Sequence, residues 1–431
     1  MELVRKLRQR EADGNPIRVG IVGCGQMGSG LAHAIRNVTG MSVAAIADIE
    51  AQRAVDAFDS LGRPADEIVV TDRLGAAQDA LRQGRALVTP DAMLMPRLEG
   101  LEVNVEATGV PEVGAAVAWS SIMNRKPVVM LNVETDVTVG PILNHLARRS
   151  GSVYTVASGD EPGVCKMLYE QAVVMGFEVV CLGKGKNNPI NLAATPESCA
   201  EEAAAKGMNP KMLASFQDGT KTMVEMAAVC NATGLVPDVP GMHGPKVELE
   251  DLARTFIPRE DGGILARRGV VDFSTGRIAP GVFAVVYSGD ERVRKDMKFI
   301  TGAEGPYYVQ LRPYHLCDLE TPQSVAEAVL LGEVTVCSET LNAEVVAVAK
   351  RDLKAGEAVG GIGGTDFYGR IYAYAEAREL GGVPVGIAAG GTVQRGVPRG
   401  ELLTEANFAP DEGAFVCRLR RMQDALMGVA L

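Results

Sequence analysis

The segment Gly23-Cys24-Gly25-Gln26-Met27-Gly28 constrains this chain more than any other. It has the spacing G-x-G-x-x-G and stands between an apolar run, Ile17–Val22, and a stretch, 26–38, whose apolar residues recur at helical spacing. A strand that turns directly into a helix needs one glycine for the tight turn. It needs a second where phosphates approach the backbone and a third where the helix packs on the strand. The free N–H groups at the helix start then present partial positive charge to those phosphates. Gly23, Gly25, Gln26, Met27 and Gly28 are therefore the predicted pyrophosphate-binding residues of a dinucleotide. Glycines also mark ordinary turns, so the motif gains its weight from the βα unit that follows it.

Short apolar runs continue at 42–47, 67–70, 102–106, 128–131 and 153–156, alternating with helical patterns at 74–83, 112–124 and 137–149. This alternation predicts repeated βαβ units and a Rossmann-type, doubly wound parallel sheet, an α/β fold. Asp48 ends the second run, 20 residues beyond Gly28, where a carboxylate can accept hydrogen bonds from the adenosine ribose and repel a 2′-phosphate. Ile49 and Glu50 follow it, with no adjacent arginine, so NAD is favoured and NADP stays open. A helix cap is the other role for Asp48. Thr108 and Gly109, after 102–106, and Asn132, after 128–131, sit where strand-to-helix turns border the nicotinamide side of such a crevice. An ordinary turn would look the same.

At 431 residues the chain should hold two or three domains, and 47% apolar against 23% charged residues is an ordinary globular balance. A net charge of −11 leaves no broad basic face for a nucleic acid. No apolar run has a membrane span's length, and the charged N-terminus is unlike a signal peptide, so a soluble, cytoplasmic protein is expected. The eight cysteines form no Cys-x-x-Cys pair. His315-Leu316-Cys317 alone lacks the ligands of a tetrahedral site, and no metal site is assigned. The expected domains are 1–156 for the nucleotide, an α+β domain at 157–340 for substrate binding and oligomerisation, a small β-rich module at 341–410, and a C-terminal helix in 411–431 that packs on the body. Inside the module, R-x-[LV]-x-x-G-E occurs at 351–357 and again 44 positions later at 395–401, which predicts two similar halves.

Polar loops cluster in the central region: Gly159-Asp160-Glu161-Pro162, Gly183-Lys184-Gly185-Lys186-Asn187-Asn188-Pro189, Asp218-Gly219-Thr220-Lys221, and Gly241-Met242-His243-Gly244-Pro245-Lys246. Any one of them reads equally as a solvated turn. Together they mark Lys184 and Lys186 as candidates for polarising a carbonyl or holding a carboxylate or phosphate. Asp160 and Glu161 are candidates for hydroxyl binding, proton transfer or Mg²⁺ ligation, and Lys221 and His243 complete the candidate catalytic set. The lysine loop follows an apolar run, 178–182, and glycines at 183 and 185 are expected to let backbone amides and both ammonium groups converge on one anion.

Through these runs, together with Asn132-Val133-Glu134, Lys221-Thr222-Met223-Val224-Glu225-Met226 and Arg312-Pro313-Tyr314-His315-Leu316, the chain resembles the homoserine-dehydrogenase-like oxidoreductases with a C-terminal SAF domain. Within them it is most similar to the DXR-like enzymes, a second type of 1-deoxy-D-xylulose 5-phosphate reductoisomerase. The resemblance implies an SAF β-clip over 345–410 and a homodimer or larger oligomer. It also implies a reaction where the nucleotide and central domains meet. The expected activity is NAD(P)-dependent oxidation or reduction of a small polyhydroxylated carbonyl compound, a sugar phosphate or sugar acid, with or without skeletal rearrangement. Whether a divalent cation is needed stays open. A homoserine-dehydrogenase-like enzyme and a non-catalytic NAD-linked or carbohydrate-binding sensor are the alternatives.

Overall fold

A computed structural model describes residues 2–428. The chain divides into two compact units, the first formed by Met1–Asp160, Leu316–Glu339 and Glu412–Leu431 as far as these are described, the second by Glu161–His315 and Thr340–Asp411.

The first unit is built on seven parallel strands: β1 (Ile17–Val22), β2 (Met41–Ala47), β3 (Ile68–Val70), β4 (Ala86–Thr89), β5 (Val103–Glu106), β6 (Val128–Met130) and β7 (Tyr154–Val156). Their order across the sheet is β3-β4-β2-β1-β5-β6-β7. The chain winds outward on one side of β1 and returns to wind outward from β5 on the other. The strand ends of β1 and β5 therefore flank the switch point, where ligands of such sheets bind. The expected Rossmann-type α/β fold is present. Its inner strands are buried along nearly their whole length, as befits a parallel sheet covered on both faces.

Two differences from the sequence reading have physical causes. β4 was not among the expected strands, because Ala-Leu-Val-Thr follows the helix Leu74–Arg82 after three residues and its period does not tell a buried strand from more helix. The helix expected at 137–149 spans Val133–Ser150. Its first turn carries Glu134, Thr135 and Asp136, all buried, which breaks the apolar period. Asn132 Oδ1 caps it by accepting from Thr135 N at 3.1 Å. Asp136 is satisfied inside the core by the Tyr154 hydroxyl at 3.1 Å and the Ser338 hydroxyl at 2.7 Å. The closing helix Phe415–Leu426 packs on helices Pro111–Met123 and Val133–Ser150. Glu112 accepts the amides of Phe415 and Val416, each at 2.8 Å. The last three positions of the expected C-terminal segment, 429–431, lie outside the described residues.

The second unit holds a mixed five-stranded sheet, in keeping with the α+β fold expected of the central domain. It comprises β8 (Glu178–Gly185), β9 (Val236–Pro237), β10 (Val270–Ser274), β11 (Val282–Tyr287) and β12 (Tyr307–Arg312), in the order β12-β11-β8-β10-β9. Helices Glu161–Val174 and Thr220–Thr233 pack against each other and on this sheet.

The small module contains β13 (Ala343–Ala349) and β14 (Phe367–Ala373) and is two-fold in its backbone bonding. Leu353 and Val397, equivalent positions of the two R-x-[LV]-x-x-G-E segments, exchange both amide hydrogen bonds at 2.9 Å. Gly356 N donates to Val393 O at 2.8 Å, and Gly400 N donates to Ala349 O at 2.9 Å. Each donor and each acceptor is related to its counterpart by the same 44-residue offset. Both glycines have positive φ, +85° and +88°, which the turn requires. The repeat in the sequence is thus a repeat in space.

Among the described residues no helix is long and apolar enough to cross a membrane.

Candidate functional site

In the first unit the glycine turn has the shape its sequence predicts. Gly23 has φ +95°, and a Cβ there would lie 2.9 Å from the carbonyl carbon of Ala107. A Cβ on Gly28 would fall 1.9 Å from Gly23 O, so the helix can meet the strand only through a bare Cα. A Cβ on Gly25 would meet nothing within 4 Å, which leaves the approach to the loop open. Helix Gln26–Arg36 starts at Gly25 with no side-chain cap, so its first amides are left for a ligand. Gln26 is exposed and Met27 half-buried in that turn.

Asp48 leaves β2 beside this loop. Its Oδ2 accepts from Cys24 N at 2.7 Å and its Oδ1 from Glu50 N at 2.8 Å. Each carboxylate oxygen keeps a further acceptor site. Asp48 does not cap the next helix, Ala51–Ser60, whose N-cap is Glu50 with no side-chain cap bond. Ile49 is 89% exposed, and Arg53 is paired with Glu50 at 2.8 Å. Gly109, with φ +67° and open space before it, borders the far side of the switch point. Thr108 is tied to Glu106, and Asn132 is fully buried, with its amide donating to Val110 O at 3.2 Å.

Glu106 itself escaped the sequence reading. It ends β5 fully buried, accepting the amide of Thr108 at 2.9 Å and the Thr108 hydroxyl. Burial pushes its carboxyl up to about 7, and the contacts from Thr108 and Asn132 offset only part of that. The folded state therefore keeps a proton that the unfolded chain gives up near its ordinary value of 4.5. The stability this contributes is complete below that value and is lost as pH rises through 7, on the order of 3 kcal/mol in all. Glu106→Gln mimics the protonated form. Urea unfolding should show this variant gaining about 1–3 kcal/mol on the wild type between pH 5 and pH 8. Parallel pH curves would contradict the assignment.

The second unit concentrates charge on one strand. Lys184 lies in β8 itself, not in a loop, and its ammonium group contacts Glu161 Oε1 and Glu225 Oε2. The three side chains are 9%, 6% and 3% exposed, so water screens none of them. Glu161 sits on the first turn of helix Glu161–Val174, and His315 Nε2 lies 3.3 Å from its carboxylate. Glu225 lies midway along helix Thr220–Thr233, one turn beyond Lys221, whose charge also acts on it. Burial by itself would strip the proton from Lys184, but the two carboxylates outweigh it and hold the ammonium above its ordinary value. Burial and the neighbouring Glu161 raise the Glu225 carboxyl.

Lys186, two positions on, is 5% exposed. Its ammonium donates to Asn188 Oδ1 at 2.9 Å and Phe216 O at 2.6 Å. Contrary to the expectation from the sequence, the glycines between and before the lysines do not free amides for an anion. A Cβ at Gly183 would lie 2.4 Å from Phe283 Cζ, and one at Gly185 2.1 Å from Ala279 N. Gly185 N donates to Gly281 O, and Lys186 N to Ser274 O. They are packing glycines in a sheet.

His243 belongs to a different cluster. Its Nε2 is 2.8 Å from Asp238 Oδ2, and Asp272, raised to about 6 by burial, accepts the amides of His243 and Gly244. Asp160 closes the opening segment of the first unit, 3.9 Å from the Cys317 thiol. Of the candidate residues, then, Lys184 and Glu161 touch each other, with Lys186 and Lys221 acting on the same cluster. Glu225 was not nominated from the sequence. Its signal was a glutamate one turn after Lys221 inside the otherwise apolar stretch Met223–Cys230.

One unit thus presents a dinucleotide-type turn on a doubly wound sheet, and the other a buried lysine–dicarboxylate set. Residues 159–321 match the family model described as the catalytic domain of oxidoreductase DRL. None of the curated proteins matches the chain. Among solved structures it is similar to a probable dehydrogenase from Thermotoga maritima, at 12% identity and TM-score 0.43 over 75% of this chain and 91% of that one. It is similar also to myo-inositol dehydrogenase from Lactobacillus casei in complex with NAD(H) and myo-inositol, at 13% identity and TM-score 0.34 over 70% and 68%. A third is 1-deoxy-D-xylulose 5-phosphate reductoisomerase from Zymomonas mobilis in complex with NADPH, at 18% identity and TM-score 0.34. That match covers 49% of this chain and 57% of that one.

Proposed function

We propose that this chain is a nicotinamide-dependent oxidoreductase, favouring NAD, that acts on a small polyhydroxylated carbonyl compound of the sugar-acid or sugar-phosphate type. The observation that carries the reading is Lys184, a buried cation kept charged by Glu161 and Glu225 within the stretch that matches an oxidoreductase catalytic domain. The uncapped glycine turn and Asp48 support the nucleotide. When bound, the nicotinamide supplies or removes hydride.

The residues of the chain do the rest. Two of the three Lys184 hydrogens are taken by carboxylates, and the third is directed to the oxygen of the reacting carbon. There it opposes charge that grows as a carbonyl becomes an alkoxide. Glu161 and Glu225 hold the ammonium in place, so no reorganisation is needed during reaction. A charge-assisted bond of this kind, stronger in the transition state, contributes about 2–4 kcal/mol. The test is a screen for appearance or loss of reduced-nicotinamide absorbance with NAD and NADP. Its panel is 1-deoxy-D-xylulose 5-phosphate, homoserine, and branched and linear sugar acids. Steady turnover of a sugar acid or sugar phosphate is expected. Turnover of homoserine alone, or of nothing, would refute the reading.

A further inference from the structure

Lys184, the penultimate residue of β8, and Lys186, the first residue beyond its end, are two positions apart, and the charge of one acts on the other, yet their surroundings are opposite. Lys184 has two buried carboxylates in contact. Lys186, also buried, is held by two neutral acceptors, the Asn188 side-chain oxygen and the Phe216 carbonyl. Its third hydrogen has no acceptor among the described residues. The charged groups facing it are Lys184 on the neighbouring strand end, Glu225 on helix Thr220–Thr233 and Asp218 just before that helix. Neither acid serves Lys186 as a counter-ion. Glu225 is engaged by Lys184, and Asp218 lies 2.7 Å from the buried Lys350 ammonium.

A buried amine beside a second cation and without a carboxylate of its own is the arrangement that lets a lysine lose its proton near neutral pH. We infer that the two lysines divide the chemistry of the proposed reaction, Lys184 as the permanent cation on the substrate oxygen and Lys186 as the group that takes and returns the hydroxyl proton. In the oxidative direction the carbinol O–H bond breaks, and its proton passes to the neutral Lys186 amine, which becomes an ammonium. The C–H bond breaks with its electron pair going to an oxidised nicotinamide as co-reactant, and the alcohol carbon becomes a carbonyl. In reduction the Lys186 ammonium donates the same proton. Burial and the Lys184 charge bring Lys186 down to about 8, while Lys184 is pushed the other way. Neighbouring groups driven apart in this manner mark the acid–base member and the electrostatic member of a site.

The inference rests on the oxidoreductase reading and is tested in two ways that keep the two apart. Carbon-13 placed at lysine Cε reports each amine's titration without any substrate. The Lys186 signal, assigned by its disappearance in Lys186→Arg, is expected to titrate near 8. A midpoint at the ordinary lysine value of about 10.4 would overturn the proposal. The second arm uses Lys186→Arg, which keeps the charge and cannot release a proton, and Lys186→Met, which keeps neither. Both should lose about a hundredfold or more in kcat on a substrate found in the panel above, with unchanged NAD affinity as the check on folding. Methylamine should restore part of the loss in the Met variant. A Lys186→Arg variant within a few-fold of the wild type would overturn the proton role while leaving the oxidoreductase reading intact. A wild-type protein inactive on the whole panel would defeat that reading and this inference with it.

Discussion

Lys184→Met is expected to destabilise the protein by about 3–5 kcal/mol at neutral pH, because it leaves Glu161 and Glu225 buried with their shared cation gone. The loss comes from two uncompensated acids and not from a missing contact. It should therefore shrink as pH falls and the acids take up protons, and it should grow as pH rises. Replacing the acids as well, in Lys184→Met with Glu161→Gln and Glu225→Gln, should recover much of the stability while leaving the protein inactive. Urea unfolding of the three forms at pH 5 and pH 8 separates these outcomes. A single variant within about 0.5 kcal/mol of the wild type would mean that the triad is not the buried ion set described.

The second large effect concerns the nucleotide. Asp48→Ser combined with Ile49→Arg should invert the cofactor preference. The aspartate that would accept the ribose hydroxyls is lost, and an arginine at an exposed position gains a 2′-phosphate. Each charge-assisted bond made or broken is worth about 1.5–3 kcal/mol, so NAD affinity should fall by roughly 10–100-fold and NADP affinity rise by a similar factor. Titration calorimetry on both proteins reads this directly. Equal affinity of the wild type for NAD and NADP would remove Asp48 from the site.

Much of the first unit was legible because its signals are local. The glycine spacing, the apolar run before it and the carboxylate at the end of β2 each follow from backbone geometry within a few residues. β4 was hidden by its closeness to the helix before it and the start of helix Val133–Ser150 by its buried polar first turn. The repeat at 351–357 and 395–401 was legible as well, since a copied turn needs copied residues.

The candidate site was only half legible. Lys184 and Glu161 could be nominated from polar runs, but their meeting with Glu225 depends on helix Glu161–Val174 packing on β8 and helix Thr220–Thr233 packing on that helix and on β10, which no local pattern encodes. For the same reason the two lysines looked alike in sequence. What distinguishes them is which has carboxylates within reach, and Glu161 and Glu225 lie far from Lys184 along the chain. Gly183 and Gly185 were read as serving a ligand, whereas they accommodate Phe283 and the turn at Ala279.

Hydride exchange between a nicotinamide and a polyhydroxylated substrate can be followed with isotope. A sugar acid or sugar phosphate deuterated at its carbinol carbons is incubated with the protein and NAD, and the recovered nicotinamide is analysed by mass spectrometry. The account predicts deuterium in the reduced nicotinamide ring with the wild-type protein, and strongly diminished transfer with Lys186→Arg. Reduced nicotinamide free of deuterium, or no reduction with any member of the panel, would contradict it.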